Sequence, residues 1–379
     1  MTPRLAGGQH VDVAVVVDSD AFGGAEVWTT RVLDHLPDGM RASLVVAEPV
    51  ADRIAVPAGI DRVVVPLARH RESAPDTAAA LAALAPDVVH VNLVDPASNR
   101  ATLAAALAQA PTVAALHLQG VPPDPPEPGF RALAAAVAPS GPIAAQLVEL
   151  GVPAERVVRV RHGVPLPATP ARPRGEPPLV VGAVGRLTPQ KGIDVLLAAT
   201  ARLHARGRAL RVVIAGAGRD EAELRRRAAG LPVTFPGFCT DVPALLRGLD
   251  VFCLPSRAEA LSLALLEAVA HGLPCLTTAV GDTVGALDGC ALVVGPDDVD
   301  ALTAAMDRLL TDPDLRRELG RRARERAVRD FAVTRMAGEV ASVWRRAAPD
   351  QRPATDDAAV HGAASTASAS ASTAATGSS

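Results

Sequence analysis

Short apolar runs alternate with longer Ala- and Leu-rich segments through most of the 379-residue chain. The apolar runs are nearly continuous, as in strands that are buried on both faces. The longer segments have the length and composition of helices. We therefore predict strands and helices in alternation, and so parallel sheets covered by helices. The runs of residues 1–163 are VDVAVVVD, ASLVVAE, RVVVPL, DVVHVNL, TVAALHL and RVVRVRHG.

The alternation is interrupted once and then begins again. Residues 164–178 include six prolines in fifteen positions, which excludes both a helix and a central strand. The runs that follow are LVVGAVG, RVVIAGAG, VTFPGF, DVFCLPS, PCLTTAV and ALVVG. We predict an α/β protein with two Rossmann-like doubly wound domains, 1–163 and 179–332, which face each other across a cleft and are joined by the linker 164–178. A helix at 333–349 and a disordered Ala/Ser/Thr-rich tail at 350–379 complete the prediction.

Charge and composition bear on the possible partners. The net charge of −3 and the aromatic content of 2% oppose nucleic-acid binding, which needs a basic surface and, for single strands, stacking rings. We find no signal peptide and no apolar run of about 20 residues, so we expect a soluble cytoplasmic protein with at most peripheral membrane contact. The cysteines show no paired spacing that would predict zinc or disulfides, and they fit a reducing compartment; they are Cys239, Cys253, Cys275 and Cys290.

Ligands of open parallel sheets bind at the carboxyl ends of the strands, and two loops there attract attention. In GRLTPQKG, Arg186 and Lys191 follow a strand and suit a diphosphate, although two solvated surface charges are the alternative. In IAGAGRDEAEL, Gly216 and Gly218 form either a nucleotide contact or an ordinary strand-to-helix turn. The third glycine of a dinucleotide fingerprint is replaced by Glu221, which opposes a nicotinamide dehydrogenase.

A third loop carries two carboxylates in apolar surroundings. In PSRAEALSLALLEAVAHGLPC, Glu259 lies in the loop and Glu267 lies within the helix that follows. Ser262 is a candidate helix cap, and the backbone amides near it could hold an anion. A carboxylate on so apolar a helix needs a hydrogen-bonding partner. The alternative is that Glu259 is an ordinary loop charge and that Glu267 is a helix residue facing solvent.

The order and spacing of these segments resemble the donor-binding domain of family 4 glycosyltransferases, which are retaining enzymes with the two-Rossmann GT-B fold. The resemblance rests on GRLTPQKGID, IAGAG, VTFPGF and PSRAEALSLALLEAVAHGLPCLTT, and on the Glu-x7-Glu spacing of Glu259 and Glu267. It implies a hexosyltransferase that uses a UDP- or GDP-linked sugar as donor substrate and needs no cofactor. The acceptor would be a small molecule, a glycan or a lipid-linked sugar.

The resemblance also implies roles for single residues. Glu267 would accept hydrogen bonds from the ribose, and Glu259 would hold the transferred sugar. Arg186 and Lys191 would neutralise the diphosphate, with Gly216 and Gly218 beside it and the amides of Leu261 and Ser262 directed at it. In the first half, Gly23 and Gly24 of DSDAFGGAEVW would approach the donor phosphates and the acceptor, and His117 would face the sugar. A tight strand-to-helix turn is the alternative for the two glycines, and a structural histidine is the alternative for His117.

Some positions depart from the family pattern. Ala260 and Asp282 stand where glycine is common, and a glutamate is missing from DTVGALDG. Asp297 and Asp298 are read as a helix start, so no metal site is predicted. A non-catalytic sugar-nucleotide-binding protein and a GT-B sugar-nucleotide epimerase remain alternatives. By the same resemblance, the last helix would cross back to the first domain. Because proline-rich linkers are stiff, we expect the halves to close on the donor as a hinge.

Overall fold

Two parallel sheets form the framework of the chain in the computed structural model, which describes residues 10–122, 128–171 and 175–349. All pairings in the first sheet are parallel, and its order is β3-β2-β1-β4-β5-β6-β7. Its strands are β1 (Val11–Val17), β2 (Met40–Ala47), β3 (Asp61–Val65), β4 (Val88–Leu93), β5 (Thr112–Leu116), β6 (Ala135–Ala138) and β7 (Val157–Arg159).

The second sheet is also entirely parallel, with the order β10-β9-β8-β11-β12-β13. Its strands are β8 (Leu179–Val184), β9 (Leu210–Ala215), β10 (Val233–Gly237), β11 (Val251–Leu254), β12 (Cys275–Thr278) and β13 (Leu292–Val294). The central strands are buried on both faces, which explains their continuous apolar runs. The prediction of two Rossmann-like halves is confirmed.

Helices cover both sheets. Those of the first half are α1 (Gly24–Asp34), α2 (Glu48–Ala51), α3 (Pro75–Leu84), α4 (Arg100–Leu107), α5 (Gly129–Ala132) and α6 (Gly141–Glu149). The remaining helices are α7 (Ile193–Ala205), α8 (Glu221–Arg227), α9 (Val242–Arg247), α10 (Leu263–Ala270), α11 (Thr283–Ala286), α12 (Val299–Thr311), α13 (Pro313–Asp330) and α14 (Val333–Ala347).

Strand β6 was absent from the sequence prediction, which placed no strand between the runs TVAALHL and RVVRVRHG. The strand consists of Ala135–Ala138, three of whose four residues are alanine. Alanine favours helices, so local propensity gives no sign of a strand here. Pairing with β5 and β7, which buries all four residues, overrides that propensity.

The chain passes twice between the halves, and the two passages lie side by side. Val164 donates its N–H to the Phe331 carbonyl at 2.8 Å, and Val333 donates to the Val164 carbonyl at 3.0 Å. Gly163 packs so tightly there that a Cβ would lie 2.8 Å from the Cα of Val333. After this crossing, α14 buries one face in the core of the first sheet, with Trp344 fully covered.

Three parts of the predicted domain scheme lie outside the described residues: 1–9, 172–174 of the linker, and the tail from 350. The five residues 123–127 of the proline-rich segment after His117 also lie outside them. No helix in the described part of the chain is both long and apolar enough to cross a bilayer.

Candidate functional site

The loops that follow β8 and β11 bring Lys191 and Glu259 together. The two strands are neighbours in the parallel sheet, so their carboxyl ends share one edge. Lys191 Nζ forms an ion pair with Glu259 Oε1, which also accepts a hydrogen bond from Ser256 Oγ at 2.8 Å. Their side chains are only 13% and 9% exposed, so the pair is shielded from water. A carboxylate and an ammonium are therefore held together at the carboxyl edge of the second sheet.

Arg186 lies in the same loop as Lys191 but in a different setting. Its side chain is exposed and has no hydrogen-bonding partner within the residues that the structure describes. Its fixed positive charge is thus accessible to a ligand at this edge.

Glu267 has the hydrogen-bonding partner that its apolar helix demanded, and the partner comes from the other half. Arg31 of α1 donates from Nη2 to Glu267 Oε1, and the two side chains are 11% and 18% exposed. Ser262 occupies the N-cap position of α10, but its hydroxyl makes no capping hydrogen bond, which corrects the expected side-chain cap. The first-turn N–H groups of α10 therefore donate no hydrogen bond to the Ser262 hydroxyl.

The glycines of the second half serve close packing between loops. Gly192 (φ +61°) and Gly216 (φ +146°) leave no space for a Cβ, because the carbonyls of Pro255 and Gly185 occupy it. Gly218 lies equally close to the carbonyl of Leu187. These glycines therefore allow close contact with neighbouring protein backbone. A nucleotide contact for Gly216 and Gly218 stays a prediction.

The glycine loop of the first half contacts the second half. Glu26 caps the start of α1, since its Oε2 accepts the Gly23 N–H at 2.7 Å and its Oε1 accepts from Ser19 Oγ at 2.5 Å. Gly24 lies so close to α10 that a Cβ would be 3.9 Å from Leu263 Cδ1. The loop thus faces the second half, and a phosphate contact for Gly23 and Gly24 stays a prediction.

His117 follows β5 and lies in a buried group of uncharged rings. Its Nε2 donates to the Asn92 side-chain oxygen at 2.5 Å, because an amide oxygen only accepts. Trp28 contacts it edge-on, with ring centroids 5.1 Å apart, and His162 stacks on it at 6.2 Å. His90 lies behind Trp28 and accepts a hydrogen bond from Trp344 at 3.1 Å.

Burial keeps these histidines neutral. It lowers the pKa of His117 well below its usual value, and the nearby His162 and His90 add to the effect. Burial also lowers the pKa of His162 to about 4 and that of His90 to about 3. A neutral His117 whose Nε2 carries the proton has an Nδ1 that accepts hydrogen bonds and carries no positive charge.

His162 connects this group to the other half. Its Nδ1 donates to the Leu261 carbonyl at 2.8 Å, which leaves Nε2 as an acceptor in the neutral ring. That Nε2 and the side-chain nitrogen of Asn92 are buried and have no hydrogen-bonding partner in the described chain. An unpaired buried polar group costs about 1–3 kcal/mol. The donor on Asn92 and the acceptor on His162 are the two functions that a hydroxyl group can satisfy.

Sequence reasoning missed Asn92, His162 and Arg31. One signal was present, because His90 and Asn92 are two positions apart on β4 and therefore lie on one face of the sheet. Nothing in the sequence pairs Arg31 with Glu267, which are 236 positions apart.

Asp282, which departs from the family pattern, also connects the halves. It accepts a hydrogen bond from Arg159 at 2.8 Å, and Arg161 lies 3.7 Å away. Asp298 caps α12 by accepting the Ala301 N–H at 2.8 Å, which confirms the predicted helix start. Among the described residues, no three His, Cys, Asp or Glu side chains gather in a way that could hold a metal ion.

Comparison with known proteins bears on the second half most directly. The family model described as "Glycosyl transferases group 1" matches residues 178–312. The second half is therefore similar to this family. The match spans the loops that hold Arg186, Lys191 and Glu259, and the helix that holds Glu267.

Curated relatives carry glycosyltransferase names. A putative colanic acid biosynthesis glycosyltransferase of Escherichia coli is 34% identical over 53% of this chain and 53% of its own length. The GDP-mannose-dependent alpha-(1-6)-phosphatidylinositol dimannoside mannosyltransferase of Mycobacterium tuberculosis is 34% identical over 46% of this chain and 44% of its own. The aligned regions thus span about half the length of these two relatives.

Solved structures show the same fold across both halves. Anabaena HepE in complex with UDP and glucose superposes with a TM-score of 0.71 at 18% identity, covering 89% of this chain and 100% of HepE. Sucrose-phosphate synthase of Thermosynechococcus elongatus gives 0.72 at 20% identity, with 89% and 99% covered. The architecture is therefore that of GT-B glycosyltransferases.

Proposed function

We propose that the protein is a retaining glycosyltransferase that moves a hexosyl unit from a nucleoside diphosphate sugar to an acceptor hydroxyl. The observation that carries the proposal is the shielded Lys191–Glu259 pair at the strand edge of the half that is similar to the glycosyl transferases group 1 family. HepE has been crystallised with UDP and glucose, which supports a sugar nucleotide as donor. The relatives' names support transferase activity.

In the proposed mechanism, the cations of the first loop stabilise the leaving diphosphate. Lys191 and the exposed Arg186 supply fixed positive charge where negative charge grows as the glycosidic bond breaks. The backbone amides of Leu261 and Ser262, at the start of α10, would add their dipoles. These groups supply the charge that a divalent metal provides in other transferases, so the proposed reaction is metal-independent.

Carboxylates and uncharged rings would position the sugar. Glu259, held by Lys191 and Ser256, would accept hydrogen bonds from sugar hydroxyls near the reacting carbon. Asn92 and His162 would pair with a further hydroxyl through their unpaired donor and acceptor. Since His117 is neutral, it would bind the sugar without opposing the positive charge that develops at the anomeric carbon. The leaving phosphate would then assist removal of the acceptor proton on the same face.

The proposal is tested with a panel of UDP-, GDP- and ADP-linked hexoses. We expect one nucleoside diphosphate to raise the melting temperature, and its sugar to be transferred in excess EDTA with retained anomeric configuration. Arg186→Ala and Lys191→Gln should each lower transfer about 100-fold without loss of fold. Arg206→Ala, an exposed arginine at the end of α7, is the matched control.

The outcomes separate the proposal from its rivals. Donor binding with no transfer or hydrolysis would indicate a non-catalytic binding protein, and release of an epimerised sugar nucleotide would indicate an epimerase. Activity lost on chelation and restored by magnesium or manganese would contradict the metal-independent mechanism.

A further inference from the structure

Two loops at the carboxyl edge of the second sheet supply the Lys191–Glu259 ion pair. The Lys191 loop, residues 185–192, follows β8, and the Glu259 loop, residues 255–262, follows β11. Two side chains on separate loops keep a fixed mutual geometry only if the loops themselves are held together by supporting contacts. In this protein, Arg257 of the Glu259 loop makes most of those contacts.

Backbone groups of the Lys191 loop are the first partners of Arg257. Its main-chain N–H donates to the Gln190 carbonyl at 2.7 Å, and its Nη1 donates to the Pro189 carbonyl at 2.6 Å. In the opposite direction, Gln190 Nε2 donates to the Ala258 carbonyl at 2.8 Å. These three hydrogen bonds join the two residues before Lys191 to the two residues before Glu259.

Two carboxylates hold the guanidinium of Arg257 in place. Asp194, in the first turn of α7, accepts from Nη1 at 2.9 Å and from Nη2 at 2.8 Å. Asp297, in the loop after β13, accepts from Nε at 2.7 Å. Because β12 lies between β11 and β13, the side chain reaches past a whole strand to make this contact. The hydrogen bonds from Arg257 also hold the pKa of Asp194 below its usual value.

These contacts occupy most of the donors of Arg257. A guanidinium has five N–H groups, and four of them donate within the protein: one on Nε, two on Nη1 and one on Nη2. Its positive charge is balanced by Asp194 and Asp297. Arg186, by contrast, is exposed and accessible to a ligand. Arg257 therefore acts on the two loops and does not serve as a further cation for the diphosphate.

We propose that Arg257 is a positioning residue, which holds the Lys191 loop against the Glu259 loop so that the ammonium and the carboxylate meet at the reaction site. The inference rests on the proposed glycosyltransferase function and names a further residue on which that site depends. A lysine at position 257 would retain the positive charge, but a single ammonium cannot form the two parallel hydrogen bonds with Asp194 and also reach Asp297. Arg257→Lys therefore changes the geometry and leaves the charge.

Hydrogen exchange on the full chain tests the contact between the loops without any turnover. We expect peptides from the Lys191 and Glu259 loops to exchange about 10-fold faster in Arg257→Lys than in the wild type, because charge-assisted hydrogen bonds that oppose local opening are lost. Arg208→Lys is the matched control, since Arg208 makes a similar two-bond pair with Asp307 beyond the other end of α7. Unchanged exchange in Arg257→Lys, or an equal increase in the two variants, would overturn the proposal.

Steady-state kinetics test whether Arg257 acts through the ion pair. We expect Arg257→Lys to lower kcat about 10-fold with little change in the KM of the donor, because a displaced Lys191–Glu259 pair loses interactions of the transition state. In a Lys191→Gln background, the same substitution should have little further effect, since residues that act as a unit are not additive. An unchanged kcat, or the same 10-fold loss in both backgrounds, would contradict a role through the pair.

Failure of the glycosyltransferase function would be recognised separately. The wild-type protein would then transfer no sugar from any donor, which would also remove the catalytic part of this inference. The exchange rates would still decide whether Arg257 holds the two loops together.

Discussion

The two halves bring different kinds of side chain to the region where they meet. The face of the second half presents charged groups, with Lys191 beside Glu259 and Arg186 exposed. The face of the first half presents neutral rings and an amide, with His117, His162 and Asn92 buried together. Charged groups suit a diphosphate that gains charge, whereas neutral groups suit hydroxyls. Under the proposed function, the second half would stabilise the leaving group and the first half would bind the sugar.

The largest expected effect follows from breaking the charged face. Glu259→Gln retains the shape of the side chain but removes the charge that pairs with Lys191. We expect transfer at saturating donor to fall about 100-fold or more, with an unchanged far-UV spectrum. Glu223→Gln on the exposed helix α8 is the control. Wild-type rates for Glu259→Gln would show that this carboxylate only holds the loop.

The second-largest expected effect is a loss of stability at acid pH, because the buried histidines of the first half are neutral. A histidine with a pKa of about 4 when folded and about 6.5 when unfolded binds more protons in the unfolded chain, so its stabilisation is complete above pH 6.5 and is lost as the pH falls towards 4. We expect His162 alone to lower the free energy of unfolding by about 2 kcal/mol between pH 7.5 and 5.0.

Fluorescence makes this measurement specific to the first half, because both tryptophans, Trp28 and Trp344, lie in its core. Urea titrations followed by tryptophan fluorescence should show the loss at pH 5.0. His162→Asn, which does not titrate, should show a pH dependence smaller by that amount. An identical pH dependence in the variant would contradict the neutral, buried state of His162.

A smaller effect is expected from removing the proposed contact between Glu267 and the ribose. Glu267→Gln should reduce the preference for a nucleoside diphosphate over its 2′,3′-dideoxy analogue, because the ribose hydroxyls lose a charged acceptor worth about 1.5–3 kcal/mol. We expect a loss of about 10-fold in that preference by calorimetry. If both analogues weaken equally, Glu267 acts only through Arg31 and the ribose lies elsewhere.

The smallest expected change concerns the contact between the two faces. Arg31→Glu sets two carboxylates against each other where Arg31 and Glu267 now pair. We expect a larger radius of gyration without ligand, measured by solution scattering, and partial recovery on adding the nucleoside diphosphate. Arg31→Lys, which retains the charge, should match the wild type. Equal radii for the two variants would show that other contacts hold the halves together.

The repeated apolar runs were sufficient to predict twelve of the thirteen strands in the described part of the chain, and the parallel arrangement, because a strand buried on both faces must be apolar throughout. The exception was β6, where alanine left no local signal. Loop position alone drew attention to Lys191 and Glu259, because ligands of parallel sheets bind at the carboxyl edge. Sequence spacing did not indicate that the two would form an ion pair.

What the sequence determined by itself was therefore periodic or local: the strands, the proline-rich break between the halves, the cap at Asp298 and the motif that contains Glu259 and Glu267. Only the tertiary structure decided the pairing of Arg31 with Glu267, the neutral state of His117, and the unpaired atoms of Asn92 and His162. The physical reason is that these properties depend on desolvation and on distances between residues far apart in the chain. Side-chain periodicity reports the face on which a residue lies, but the packing of the two halves decides which residue it meets there.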